Sequence, residues 1–436
     1  MEPGKRVTFA ADQGTTPSLQ TLLRLEKQQQ HSRRCNRQFL SLTAASLVVL
    51  VATFFLSPQE GTDVSPVCDI ENYLGDIELP GLHVLCLRGT HVSVWKNALT
   101  AEANWVEYDN ELELRALLEV QLDVGTENRD RTYALRKARK EVVEEPWQLF
   151  DRDGHLIETF NQRKHLSELN DGLYIVTEIG AFVWPGVREG FKREVQLEKS
   201  TIVLETVSMQ PLILQARNFL EGPRTAKMRD FAAPRLAASA IVLQEGQDES
   251  TDATQWRTSS TAWVKPREHI VFAEATRRVA QLSRIPLENQ EEVQVLRYLP
   301  PEGKRKGQKY SVHFDFFDPR YMPEGSKEYF KRRNRMLTVF WYLSEVDAGG
   351  STYFPLAGGK PESSVKDYDV CTGVTVPPET GKVLLFYSRH ADGSLDYHSL
   401  HGGCTVEGTS AKWAANNWIW PSAYKGEESQ YIRTSN

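Results

Sequence analysis

The chain has 436 residues, 25% charged and 40% apolar, with a formal net charge of -6. It is too long for one small core, so two or three folded units are expected. The composition is that of an ordinary globular protein, and nothing in it marks a nucleic-acid binder.

Residues 1–37, with the polar stretch "EKQQQHSRRCNR" at their end, lack sustained apolar periodicity and read as a disordered cytoplasmic tail. Phe39 to Leu56 is an uncharged run of 18 residues, just long enough to cross a bilayer core, and defines a signal anchor over 38–57. Arg33, Arg34 and Arg37 precede it, whereas the other flank is acidic until Arg88, so the body of the protein is expected to be translocated as a single-pass type II protein. A cleaved signal peptide fits less well, because the polar segment ahead is long and no small-x-small site follows closely. Residues 58–80, rich in Pro, Gly and acids, read as a stalk. Cys35 falls on the cytoplasmic side, which leaves Cys68, Cys86, Cys371 and Cys404 in an oxidising lumen. Sequence order suggests Cys68 with Cys86 and Cys371 with Cys404, among three connectivities.

From 81 to 195 the signals are mixed. "ELELRALLEVQL" and "YALRKARKEVVEE" have helical composition, and "WQLFDRDGHLIETF" reads as strand, Asp-Gly turn and strand. A small α+β unit of unknown role is expected. Beyond it, "TIVLETV", "PLILQARNFL", "EEVQVLRYL", "YSVHFDFF", "RMLTVFWYL", "GKVLLFY" and "KWAANNWIW" are short strand-like runs separated by Pro, Gly and charged loops, with one helical pattern over 266–285. The fold class is α+β, with a double-stranded β-helix, or jelly roll, over 200–425 and helices on one face.

Within "QKYSVHFDFFD", His313 and Asp315 stand at i and i+2, so a strand would turn imidazole and carboxylate to one face. The pattern alone is cheap, since His390-Ala391-Asp392 repeats it. That second triplet sits in "HADGSLD", whose Asp-Gly chemistry predicts an exposed loop. Two histidines and a carboxylate with open positions form the facial triad of non-haem Fe(II) oxygenases, and His398 or His401 in "DYHSLHGGCTV" could supply the third ligand. The strand that follows carries Lys412, which could reach the same cavity and would there need an anion; a solvated surface lysine is the plain alternative.

Taken together, "YSVHFDFFD", "RMLTVFWYLSEVDAGGSTYFP" and "VPPETGKVLLFYSRHADGSLDYHSLHGGCTVEGTSAKWAANNWIW" closely resemble the catalytic domain of prolyl 4-hydroxylases, of the membrane-anchored plant and algal type. The resemblance is strongest from Gln294 to Trp420 and extends more weakly back to Thr201. It implies Fe(II), 2-oxoglutarate, O2 and ascorbate as cofactors and co-substrates, and a proline-containing peptide as substrate. It assigns His313, Asp315 and His401 to iron, setting aside His398 and His390, and Lys412 to the far carboxylate of 2-oxoglutarate. Thr352 falls where a co-substrate hydroxyl contact is expected; Tyr298, Tyr310 and Trp418 match aromatics near the pocket, where core packing would serve as well. It also implies a disulfide between Cys371 and Cys404 beside the site. The sequence departs from the pattern in the longer loop "LPPEGKRKGQK", in Thr405 in place of Pro, and in Ser351 in place of Glu. "DPRYMPEGSKEYFKRRNR" is either a lid or a solvated basic loop. Competing readings are another 2-oxoglutarate oxygenase, such as a lysyl hydroxylase, which usually holds the co-substrate with Arg, and a non-catalytic jelly-roll binding module. The expected location is the endoplasmic reticulum or Golgi membrane with the catalytic domain luminal; oligomeric state and acceptor protein are left open.

Overall fold

The computed structural model describes residues 68–98, 105–108, 114, 147–157, 169–239, 257–367 and 370–424. The tail, the apolar run at 39–56, Cys35, residues 58–67 of the stalk and the two helical stretches at 111–122 and 133–145, Leu114 aside, lie outside them. Among the described residues no helix is long and apolar enough to cross a membrane.

Five strands open the fold: β1 (Leu82–Arg88), β2 (His91–Trp95), β3 (Val106–Glu107), β4 (Gln148–Asp151) and β5 (Gly172–Thr177). They pair antiparallel in the order β3-β2-β1-β5-β4. The expected Asp153-Gly154 hairpin is present, with Gly154 at φ 85 and a bridge between Phe150 and Leu156. One face of the sheet has its own small core, of Leu85, Leu87, Val92, Trp147, Leu149 and Val176, and the other joins the rest of the protein. Leu82, Val84, Phe150 and Ile175, with Phe182 and Trp184 just beyond, join the largest core cluster of the protein.

The second sheet begins before residue 200. Its strands are β6 (Lys192–Leu197), β7 (Ser200–Met209), β8 (Leu212–Ala216), β9 (Ala237–Ala238), β10 (Ser260–Val264) and β11 (Val293–Tyr298), joined by three later ones. Helices α1 (Gly222–Ala232) and α2 (Ile270–Ser283) interrupt the series. After it come β12 (Tyr310–His313), helix α3 (Glu324–Arg332), β13 (Leu337–Tyr342), β14 (Thr352–Phe354), β15 (Val374–Val376), β16 (Val383–Tyr387), β17 (His401–Gly403) and β18 (Lys412–Ile419). The large sheet runs β6-β7-β8-β16-β13-β18-β11-β10-β9, and a small one runs β12-β17-β14-β15.

Alternation along the central strands explains the layering. On β13, Leu337, Val339 and Trp341 pack with α2 residues Phe272, Ala275 and Val279, whereas Phe340 and Tyr342 pack with Phe354 and Val376 of the small sheet. A strand buried on both faces is largely apolar, as "LTVFWY" is, with Thr338 the one aliphatic hydroxyl in it. Two antiparallel sheets face to face, with helices on the outer side of the larger, match the jelly-roll expectation. The predicted helix over 266–285 is shorter: Pro266–Glu268 forms a 3-10 turn, His269 Nδ1 accepts from Val271 N at 3.2 Å as the cap, and Ile270 points outward, 60% exposed.

Both disulfides suggested by sequence order are present, Cys68–Cys86 and Cys371–Cys404. The segment 318–335 is not a solvated loop. It contains α3, whose Phe330 packs with Phe317, Met322 and Trp420.

Candidate functional site

Strand pairing builds the site. β12 pairs with β17 so that His313 and His401 are direct cross-strand partners, with ring centroids 4.4 Å apart. The expectation that His313 and Asp315 share a strand needs correction, because β12 ends at His313 and Asp315 lies two residues beyond it. The carboxylate nonetheless turns back to the rings, its Oδ1 3.7 Å from His313 Nε2 and its Oδ2 3.5 Å from His401 Nε2. One ligand atom from each of the three lies within 4.8 Å of the others.

Each ligand atom is oriented by a partner. His313 Nδ1 donates to the Ser311 carbonyl at 3.0 Å and His401 Nδ1 to the Ser399 carbonyl at 2.9 Å, which fixes the tautomers with Nε2 lone pairs facing the centre. Thr338 Oγ1 donates to Asp315 Oδ2 at 2.6 Å, and Arg335 donates to the Asp315 carbonyl at 3.2 Å. Burial, and after it the neighbouring His401, pulls the His313 imidazole down to about 3, so the ring is neutral at ordinary pH. Burial alone would raise the Asp315 carboxyl, but His401, His313, Arg335 and Thr338 together hold it below the usual range. The set is two imidazoles and one carboxylate, which fits a divalent iron and leaves positions open.

Around it lies a cavity of about 840 Å³ lined by His313, Asp315, Tyr310, Trp418, Tyr397 and Tyr321 among others. Tyr310 stacks on the His313 ring at 3.8 Å with Arg257 on its other side at 4.4 Å. Trp418 carries the Arg335 guanidinium over its ring at 3.6 Å, and its Nε1 is buried without an acceptor among the described residues. Arg335 in turn holds Glu291 with both Nε and Nη2, at 2.6 and 2.8 Å.

Lys412 shares a face of β18 with Asn416 and Trp418, which line the cavity, and sits deeper between the sheets. It is 2% exposed, and its ammonium lies 5.3 to 5.8 Å from the rings of Tyr298, Phe340 and Tyr342. Burial lowers it to about 7, and no carboxylate among the described residues forms an ion pair with it. A buried cation without a counter-charge is a socket for an anion. Thr352, also buried, is within 2.8 Å of the Tyr342 hydroxyl, and the Gly350 backbone beside it comes close to the Lys412 stem. The long loop after Tyr298 closes on itself through Gln308 N to the Leu299 carbonyl at 2.9 Å, so Tyr298 stays opposite Lys412 in the β11–β18 register.

Of the histidines set aside, His398 lines the same cavity and His390 does not, and neither joins the ligand cluster. His398 Nδ1 is 3.3 Å from Asp396, and His390 Nε2 is 3.9 Å from the same carboxylate. The loop at 390–396 is not exposed as expected: Ala391 is 3% exposed and joins the main core. Cys404 directly follows β17, so its disulfide ties the loop at 371 to the strand that carries His401. Sequence reasoning missed Tyr342, Thr338, Arg335 and Glu291. Alternation on "LTVFWY" offered a signal for the first two, which share a face with Phe340.

The model of the 2OG-Fe(II) oxygenase superfamily matches residues 293–420. Probable prolyl 4-hydroxylase 9 of Arabidopsis thaliana is 34% identical over 225 residues, covering 50% of this chain and 72% of that protein. Prolyl 4-hydroxylase 1 of the same plant is 34% identical over 220 residues, 49% of this chain and 71% of its own length. Among solved structures, the viral collagen prolyl hydroxylase of Paramecium Bursaria Chlorella virus-1 in its 2OG complex aligns at 23% identity with a TM-score of 0.33, over 48% of this chain and 95% of that one.

Proposed function

Because the chain belongs to the prolyl 4-hydroxylase family of Fe(II)- and 2-oxoglutarate-dependent oxygenases, we propose that His313, Asp315 and His401 hold its iron and that Lys412 receives the far carboxylate of 2-oxoglutarate. The protein hydroxylates peptidyl proline at C4. When bound, iron with 2-oxoglutarate and O2 supplies the oxidation, in which the co-substrate loses CO2 to become succinate and one oxygen atom enters the proline.

The residues of this chain bind, orient and exclude water. Thr338, Arg335 and the Ser311 and Ser399 carbonyls fix the ligand set before metal arrives. Thr352, set by Tyr342, shares the co-substrate carboxylate with Lys412. The aromatic walls of the cavity, Tyr397 and Tyr321 among them, suit an extended proline-rich peptide, which aromatic grooves recognise without side-chain charge. Ascorbate is the reductant for assay. The substrates are secretory-pathway proteins met in the endoplasmic reticulum or Golgi lumen, a reading supported by two disulfides and by the apolar run at 39–56 acting as a type II anchor.

One observation carries this reading: three oriented ligand atoms gathered at the end of β12, with a buried lysine between the two sheets that has no ion-pair partner among the described residues. Full-length protein with Fe(II), ascorbate and 2-oxoglutarate should release succinate only when a proline-rich peptide is added, with 4-hydroxyproline found by mass spectrometry. His313→Ala should abolish both. Hydroxylation of lysine in place of proline, or no peptide-dependent succinate, overturns it.

A further inference from the structure

The five-stranded sheet lies outside the residues matched by the oxygenase superfamily, yet the residues flanking its β1 and β5 bond to the hairpin at 388–396 that leads to His401. Asp392 N–H donates to the Pro80 carbonyl at 3.0 Å, and Ile179 N–H donates to the Ala391 carbonyl at 2.6 Å. Ala391 is buried in the same core as Leu79 and Phe182. The contact is backbone against backbone: Gly81 adopts φ +76, and a Cβ there would lie 2.0 Å from the Asp392 nitrogen. The strap at 79–81 is itself held to the sheet, by the Cys68–Cys86 disulfide and by Glu178 N–H donating to the Gly81 carbonyl at 3.1 Å.

From that grip the chain leads into the site by direct bonds. A bridge between Arg389 and Leu395 closes the hairpin, and Asp396 N–H returns to the Ser388 carbonyl at 3.0 Å. The Asp396 carboxylate caps the next turn through His398 N–H at 2.9 Å, and the Ser399 hydroxyl donates to the Asp396 carbonyl at 2.6 Å. Ser399 then offers its own carbonyl to His401 Nδ1. Tyr397 on the same turn packs edge-on against Phe314 and Phe316, which flank Asp315.

We propose that the five-stranded sheet is a positioning module. Through Pro80, Gly81 and Ile179 it sets the 388–400 loop, and with it the His401 imidazole and the Tyr397 wall of the cavity. The inference rests on His401 being an iron ligand. The lysine at the co-substrate end is off this path, because Lys412 is held by the β11–β18 pairing of the large sheet, whereas Thr352 pairs with Gly403 on the strand of His401. Loosening the grip therefore weakens metal and peptide binding and spares 2-oxoglutarate.

Full-length Gly81→Ala tests this against Gly190→Ala, which has the same φ of +76 but open space around it, away from the loop. Thermal melts, Co(II) titration followed by its visible absorption, and KM values for a proline-rich peptide and for 2-oxoglutarate are compared. Gly81→Ala should lower Co(II) affinity and raise peptide KM, each by about 3- to 10-fold, with 2-oxoglutarate KM unchanged, while Gly190→Ala lowers Tm alone. Should Gly81→Ala fail to fold, Gly393→Ala at the hairpin tip, at φ +85 and facing the end of the Arg389 side chain, reads the same pattern. Co(II) affinity and peptide KM no different from those of Gly190→Ala, or a 2-oxoglutarate KM rising in parallel, would overturn the proposal. Wild-type protein that binds Co(II) without peptide-dependent turnover would instead sink the functional reading, and the Co(II) comparison would still decide this one.

Discussion

Lys412→Met separates what the buried lysine costs the fold from what it does for the co-substrate. Met keeps the length and lies well among the rings of Tyr298, Phe340 and Tyr342. In the unfolded chain the ammonium holds its proton up to 10.5, and burial lowers this to about 7 in the fold. Below pH 7 the folded protein therefore carries a desolvated charge at a cost of roughly 5 kcal/mol, since each pKa unit is worth about 1.4 kcal/mol. Between 7 and 10.5 the unfolded state binds more protons than the folded one, so stability rises with pH and the cost shrinks to about 2 kcal/mol near pH 9. Without co-substrate, Lys412→Met should melt several degrees above wild type at about pH 6, with the advantage more than halved near pH 9. It should also lose the stabilisation that 2-oxoglutarate gives the wild type. Calorimetric scans of both proteins at the two pH values provide the measurement. An advantage that does not vary with pH, or a wild type more stable at pH 6, would mean that the ammonium already has an anionic partner, and the socket argument would fail.

Two further changes probe the supports of the site. Thr338→Val removes the hydrogen bond to Asp315 Oδ2 while keeping the shape, and should weaken Co(II) binding by about 10-fold, read by titration, because partners of metal ligands typically matter at that scale. Replacing Cys371 and Cys404 together by Ser opens a link across a sequence separation of 33 and should cost roughly 3–4 kcal/mol by chain entropy, measured by denaturant melts; a loss below 1 kcal/mol would show that strand pairing alone holds β17.

The sheets were legible because "RMLTVFWYL" and "GKVLLFY" are apolar enough to be buried on both faces, and Gly and Pro punctuate them. The His-x-Asp pattern was legible for a reason that proved incomplete. It assumed a continuous strand, whereas Asp315 reaches the rings from beyond the strand end, held by Thr338 and Arg335. "HADG" misled because turn chemistry describes local backbone and is silent on what docks against it; Pro80 and Ile179, far away in sequence, bury Ala391. Arg335 and Glu291 went unnoticed for the same reason, since a buried pair across 44 positions leaves no periodic trace.

The direct pairing of His313 with His401 has a consequence for assembly. A slip of one residue between β12 and β17 would turn one imidazole to the opposite face and dismantle the ligand set. Only molecules that have paired in the native register can gain the free energy of metal binding. The ion would thus act as a proofreader of sheet formation as well as a reagent, drawing the population toward the one alignment that can hold it.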